Sequence, residues 1–362
     1  MAQVSVSGDQ PVAIKPEDIF EPHLLAQYDP EVVKRVLKDA AAGIVDRLVP
    51  IEEVRACPEK FSPPWALDAF GWERTLDRLV TSEDGAEIPV RVYYPDPKEW
   101  GDGPYGVHLN FHGGGFIFGN LNTESSLCLS MRDGAGIVVI DVNYRHCPET
   151  VWGKCIQDGW AALLWARSSA SELNIRPDSI TIGGISAGGQ ISVVLQHIAR
   201  DSGVPLKLCM PTVPPVGGWL TYNYYTDSPH RSFNEFYRGP ILPWARIKYF
   251  ADLCNPRDSV DGGISALWPD WWITPLKAKN WKGLCDTFVR TGAVDPLRDE
   301  GEEYGSKLVA GGNQVIVKRY PGSPHLFAYF PWFAQKQQFD RDSIKALREV
   351  HNTGCRSVSC RL

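Results

Sequence analysis

A chain of 362 residues, 43% of them apolar and 22% charged, carries material for one large hydrophobic core with an attached lid or cap, and reads as a soluble globular protein. Its net charge of −6, without any lysine- or arginine-rich block, argues against nucleic acid as a partner, because phosphate neutralisation needs a basic face. No window approaches the roughly 20 consecutive apolar residues of a membrane span, and residues 1–15 lack the charged-then-apolar layout of a secretory signal, so a cytoplasmic location is expected.

Residues 1–75 read as an N-terminal extension rather than sheet. Val32, Val33, Val36 and Leu37 recur at helical spacing behind Asp29 and Pro30, which predicts a helix over 29–42, and a second is expected over 44–56. The texture changes at residue 87, where Ile88, Val90, Val92 and Tyr94 alternate with other residues as in a strand. Further strands are expected at 105–111 and 137–142, the latter a nearly continuous β-branched run. A helix over 154–171, a strand at 179–183, a helix over 188–199 and a strand at 206–212 follow. Strands alternating with helices imply a parallel sheet covered on both faces. Residues 214–275 interrupt this alternation with a dense run of aromatic side chains, among them Trp219, Tyr222, Phe233 and Trp244. Such rings either form a satellite core or make a lid over a hydrophobic pocket. The pattern resumes with a strand at 287–290, a helix over 299–310, a strand at 314–319 and a helix over 338–351. The expected division is a cap extension at 1–75, a catalytic domain at 76–213 and 276–362, and an aromatic cap insertion at 214–275.

Nine cysteines, an odd count without regular spacing, read as free thiols; only an oxidising setting would pair Cys355 with Cys360. The last three residues, Cys360, Arg361 and Leu362, resemble a variant of the peroxisomal S-K-L tripeptide, against the plainer reading of a frayed terminus.

Gly183 to Gly189 contain G-x-S-x-G around Ser186, between a strand and a helix, which is the pattern of a nucleophile elbow. With 33 glycines in the chain that match alone is weak. A second element strengthens it: His112, Gly113, Gly114 and Gly115, at the end of an earlier strand, match an HGGG oxyanion loop. A serine hydroxyl is a poor nucleophile at neutral pH and needs a base, and the base needs an orienting carboxylate. One chain order for such a triad is Ser, then Asp or Glu, then His, and Asp295 and His325 follow Ser186 in that order, each just beyond a predicted strand, where loops at the carboxyl edge of an open α/β sheet bind ligands.

Together these pieces resemble the hormone-sensitive-lipase-like branch of the α/β-hydrolase carboxylesterases. The matching stretches are His112 to Gly115 with Phe116 and Gly119; Asn143, Tyr144, Arg145, Pro148 and Glu149; Ser186 to Gly189; Asp295 to Glu300; and His325 with Phe327. The resemblance implies an α/β-hydrolase fold, with a mostly parallel central sheet, helices on both faces and a helical cap. It implies Ser186 as nucleophile, His325 as general base and acid, and Asp295 as its orienter, with the N–H groups of Gly113, Gly114 and Ala187 as oxyanion hole. Phe116, Trp219, Tyr222 and Phe327 are the candidate substrate contacts. Two departures stand out: Ile185 precedes the nucleophile where the family usually carries Asp or Thr, and His146 with Cys147 replace an apolar pair.

Rival residues are assigned elsewhere. Asp299 and Glu300 fall in the first turn of a helix, where carboxylates favour the dipole. His351, among charged neighbours on a helix, is expected to be a solvated surface residue. His108 and His112 share a strand face, but no H-E-x-x-H or paired C-x-x-C accompanies them, so no metal is expected. The glycine loop lacks the Walker lysine and G-x-G-x-x-G, which leaves no phosphate or dinucleotide site and no cofactor. The expected activity is hydrolysis of a carboxylic ester of a hydrophobic small molecule. Its alternatives are a lyase, dehydratase, cyclase or amide hydrolase of secondary metabolism, or a non-catalytic small-molecule receptor. The sequence leaves a homodimer open.

Overall fold

Tyr105–Phe111 and Val138–Val142 are buried along their whole length, as strands covered on both faces must be. In the computed structural model, which describes residues 14–42, 48–61, 72–255 and 263–353, these two strands lie side by side within an eight-stranded sheet. In chain order the strands are β1 (Thr75–Thr81), β2 (Glu87–Tyr93), β3 (Tyr105–Phe111), β4 (Val138–Val142), β5 (Ile175–Ile185), β6 (Leu208–Thr212), β7 (Asp286–Gly292) and β8 (Val315–Tyr320). Their spatial order is β1-β2-β4-β3-β5-β6-β7-β8. Only β2 runs against its neighbours, pairing antiparallel with β1 and β4; every other pair is parallel.

The helices are α1 (Pro30–Ala41), α2 (Ile51–Ala56), α3 (Pro97–Trp100), α4 (Ser125–Ala135), α5 (Lys154–Ser168), α6 (Ala187–Asp201), α7 (Arg231–Glu235), α8 (Trp244–Cys254), α9 (Asp270–Ile273), α10 (Arg298–Ala310) and α11 (Ala334–His351). Alternation along β3 sends Val107, Leu109 and Phe111 into one core layer with Ala162 and Leu163 of α5 and Ile191 and Leu195 of α6. On the opposite face Cys128 and Met131 of α4 and Leu347 of α11 pack on Tyr93, Val139 and Met210. The helix α10 covers Val289 on the α6 side.

Asp29 caps α1 by accepting the Glu31 N–H at 2.8 Å, with Pro30 at the first helical position. The helix expected over 44–56 is present only as α2, and residues 43–47 lie outside the described residues. Several elements have no counterpart in the sequence reading, the short α3 and the individual helices α7, α8 and α9 among them. The edge strand β1 is largely exposed and shows no alternation, and α4 begins on Ser125 and Ser126 and carries Gly134 within it. Cys57, Cys128, Cys147, Cys155, Cys209, Cys254 and Cys285 are free thiols, while Cys355, Cys360 and the terminal tripeptide lie outside the described residues. Among the described residues no helix is long and apolar enough to cross a membrane.

Candidate active site

Four loops at the carboxyl edge of the sheet bring the chemistry together: those after β3, β5, β7 and β8. The sharpest follows β5. Ser186 sits at φ 55° and ψ −115°, a backbone state that costs a non-glycine residue about 1–3 kcal/mol. The turn is possible because Gly184 and Gly188, two residues to either side, lack side chains. A Cβ on Gly188 would lie 1.7 Å, and one on Gly184 2.3 Å, from the Phe111 carbonyl oxygen of β3. The Ser186 N–H is held by the Thr212 carbonyl at 2.9 Å, and α6 starts at the next residue.

The loops after β7 and β8 are laced together, with the Ala293 N–H donating to the Tyr320 carbonyl (3.0 Å) and the Val294 N–H to that of Ser323 (3.1 Å). This places Asp295 beside His325. The His325 Nδ1 lies 2.9 Å from Asp295 Oδ2, and its Nε2 lies 2.8 Å from Ser186 Oγ. Asp295 Oδ1 accepts the Leu297 N–H at 2.9 Å, which fixes the carboxylate plane. All three side chains are buried, Ser186 retaining 8% exposure. Among the described residues His325 is the one histidine hydrogen-bonded to the serine, and its two ring nitrogens face a hydroxyl and a carboxylate, the order that proton transfer needs.

The rival acids have other partners. Asp299 accepts the Ser232 N–H (2.7 Å), and Glu300 accepts those of Val216 (2.7 Å) and Gly217 (3.0 Å), so both anchor the segment after β6. Burial pushes the Glu300 carboxyl up to about 8. His351 corrects an expectation: it is not solvated but buried, with Nδ1 2.9 Å from Ser179 Oγ and Nε2 3.2 Å from Thr181 Oγ1. Burial holds it neutral, its pKa lowered to about 3. His108 meets the same Thr181 hydroxyl at 2.9 Å. His112 is also neutral, pushed down to about 4 by burial, and stacks on Tyr144 at 4.5 Å. Ile185 points into the core among Val213, Val294 and Tyr329, which accounts for an apolar residue before the nucleophile.

The glycine loop corrects a second expectation. The Gly113 N–H donates to Glu124 Oε1 at 2.8 Å and to Tyr329 Oη at 3.1 Å, so it is committed away from the serine. The N–H groups of Gly114, Gly115 and Ala187 have no acceptor among the described residues, and all three residues line the cavity over Ser186. That cavity holds about 340 Å³, and its wall is mostly apolar. Phe116 and Trp219 line it, their rings stacked at 6.0 Å, and Trp219 Nε1 donates to Gln190 Oε1 at 3.1 Å. Tyr222 and Phe327 do not line it. The Tyr222 hydroxyl donates to the Gly217 carbonyl and its ring meets Phe233, while Phe327 packs on Tyr320 and Phe339. Leu326 and Tyr329 take the places expected of Phe327, and Val54 of α2 with Tyr249 and Phe250 of α8 close the rim.

A family model for the α/β-hydrolase fold matches residues 108–329. The carboxylesterase NlhH of Mycobacterium tuberculosis is 34% identical over 308 residues, 84% of this chain and 91% of that protein. An arylesterase of Saccharolobus solfataricus is 32% identical over 263 residues, 71% and 78% of the two chains. The solved hyperthermophilic esterase of Pyrobaculum calidifontis superposes with a TM-score of 0.75 at 26% identity, over 90% of this chain and 99% of that one.

Proposed function

The chain belongs to the α/β-hydrolase fold family and is a carboxylic ester hydrolase, and from that premise we propose that Ser186, His325 and Asp295 are its catalytic triad, acting on an ester of a hydrophobic small molecule. The observation that carries this reading is the continuous chain from Ser186 Oγ to His325 Nε2 at 2.8 Å and from His325 Nδ1 to Asp295 at 2.9 Å. Ser186 Oγ attacks the ester carbonyl as His325 Nε2 takes its proton. Asp295 holds the imidazole in the tautomer that can accept it and stabilises the imidazolium that forms. The oxyanion is bound by the N–H groups of Gly114, Gly115 and Ala187, the last at the positive end of α6. The imidazolium returns the proton to the departing alkoxide, which leaves as the alcohol. Water, deprotonated by His325, then attacks the acyl-serine and releases the acid.

Residues before β1 and the 214–275 segment act as a cap over the cavity; α2 and α8 supply part of its wall, which supports that role. The apolar lining and the stacked Phe116 and Trp219 support an acyl or alcohol group that is bulky and hydrophobic. The test is covalent. Treatment with a fluorophosphonate should leave a single adduct on Ser186, seen by mass spectrometry, and Ser186→Ala should lose p-nitrophenyl butyrate hydrolysis by roughly 10⁶-fold. Retention of most activity in that variant removes the acyl-serine mechanism.

A further inference from the structure

Glu124 is the residue next to α4 that no step of the reaction uses, yet it is completely buried. Its Oε1 accepts the Gly113 N–H at 2.8 Å and the Tyr329 hydroxyl. Its Oε2 accepts Asn110 Nδ2 at 2.9 Å, and the same Asn110 amide also donates to Asp141 Oδ1 at 2.9 Å. One carboxylate therefore ties together β3, the loop that follows it, and the segment four residues beyond His325. Building on the triad reading, we propose that Glu124 is a positioning residue, a buried clamp that sets the oxyanion loop against the histidine-bearing loop and acts on the chemical step without touching substrate.

The geometry explains how. By taking the Gly113 N–H, Glu124 fixes the first peptide of the loop, so that the N–H groups of Gly114 and Gly115 are the ones presented beside Ser186. There is no slack at this point. A Cβ on Gly113 would lie 2.6 Å from Tyr329 Oη and 3.1 Å from the Ile185 carbonyl oxygen, so loop, clamp and elbow are in contact. Burying a carboxylate is costly, and an apolar side chain would fill this position more cheaply. Burial raises the Glu124 pKa to about 7, while Tyr329, Asn110, Gly113 and the more distant Arg290 pull it back. The negative charge is also felt by Asp141, Cys128 and Tyr144 around it. A group retained against that cost, with three donors aimed at it from three elements, fits a role in placing atoms rather than in holding up the fold.

Glu124→Gln keeps the shape but sets an amide where Asn110 already donates. Its kcat with p-nitrophenyl butyrate should fall by about tenfold or more, with little change in KM and no loss of Tm at pH 8. Tyr329→Phe should lower kcat less, and the double variant should be no slower than Glu124→Gln alone, because both act through one clamp. A kcat within about twofold of wild type, a fall that tracks a lowered Tm, or independent multiplicative losses in the double variant would overturn the proposal. Fluorophosphonate labelling of the wild type separates the two readings. No adduct on Ser186 defeats the triad, whereas a normal adduct with an unimpaired Glu124→Gln defeats only the clamp.

Discussion

The carboxyl edge of the sheet and the 214–275 segment hold their side chains by different physical means. At the edge the proposed triad is fixed by directional polar bonds, Ser186 to His325, His325 to Asp295 and Asp295 to the Leu297 N–H, and the glycine loop is tied down by Gly113 to Glu124. In the segment, beyond the anchors that Glu300 and Asp299 provide at Val216, Gly217 and Ser232, much of the holding is done by rings. Tyr225 stacks on Tyr237 at 4.1 Å, Trp268 on Trp272 at 5.4 Å, and Phe233 meets both Tyr222 and Trp244 edge-on. Hydrogen bonds define a position to a few tenths of an ångström because they weaken steeply with angle and distance. Ring packing defines a shape, and shapes of similar volume exchange at modest cost. The reaction and its selectivity therefore reside in separable parts, and substitutions should separate them.

The largest effect is expected where the polar chain is cut. Asp295→Asn keeps the volume but offers His325 Nδ1 the wrong partner, and turnover of p-nitrophenyl esters should fall about 10⁴-fold while the thermal midpoint holds. A loss of only tenfold would mean that another group orients the imidazole, and the contrast between the two regions would blur. A smaller effect, of another kind, is expected in the rings. Trp219→Leu removes the partner of Phe116 and enlarges the cavity on one side. The ratio of kcat/KM for p-nitrophenyl hexanoate to that for acetate should rise by about tenfold, with acetate turnover barely altered. If acetate and hexanoate decline together, Trp219 supports the reaction rather than the selectivity.

What was legible in the sequence divides along the same line. Ser186, Asp295 and His325, which the structure brings into one hydrogen-bonded chain, could be singled out as a candidate triad because that chemistry needs a fixed chain order and glycines that only a tight turn explains. Which glycine N–H groups are left free for the proposed oxyanion hole was not legible, since three consecutive glycines look alike until Glu124 is seen to take the first. Glu124 itself carries no periodic or motif signal. Phe327 was a natural choice beside His325, but the chain there winds into a short 3-10 turn, Phe327–Tyr329, that turns Phe327 into the core and Leu326 and Tyr329 toward the cavity. For His351 the signal existed and its charged neighbours masked it. Phe339, Ser343, Leu347 and His351 recur every four residues, and all four are the buried face of α11.

The smallest predicted effect tests what the polar precision costs. Asp141 lies fully buried in β4, one oxygen bonded to Asn110 and the other without a hydrogen-bond partner among the described residues. Burial raises its carboxyl from 3.8 to about 8. A group that holds its proton in the folded state but loses it in the unfolded one makes stability fall as pH rises, since the unfolded state then binds fewer protons. The stabilising balance is intact below about pH 4, declines between pH 4 and 8, and is fully lost above that; Glu124, raised to about 7, and Glu300, raised to about 8, act in the same direction. Asp141→Asn removes the titration while keeping an oxygen for Asn110. Its thermal midpoint should match the wild type at pH 4 and exceed it by several degrees at pH 9. An equal midpoint at both pH values would mean that Asp141 is ionised in the native protein at little cost, with the positive charge of Arg91 reaching it from the neighbouring strand. The polar layer under the active site would then be as inexpensive to hold as the rings of the 214–275 segment.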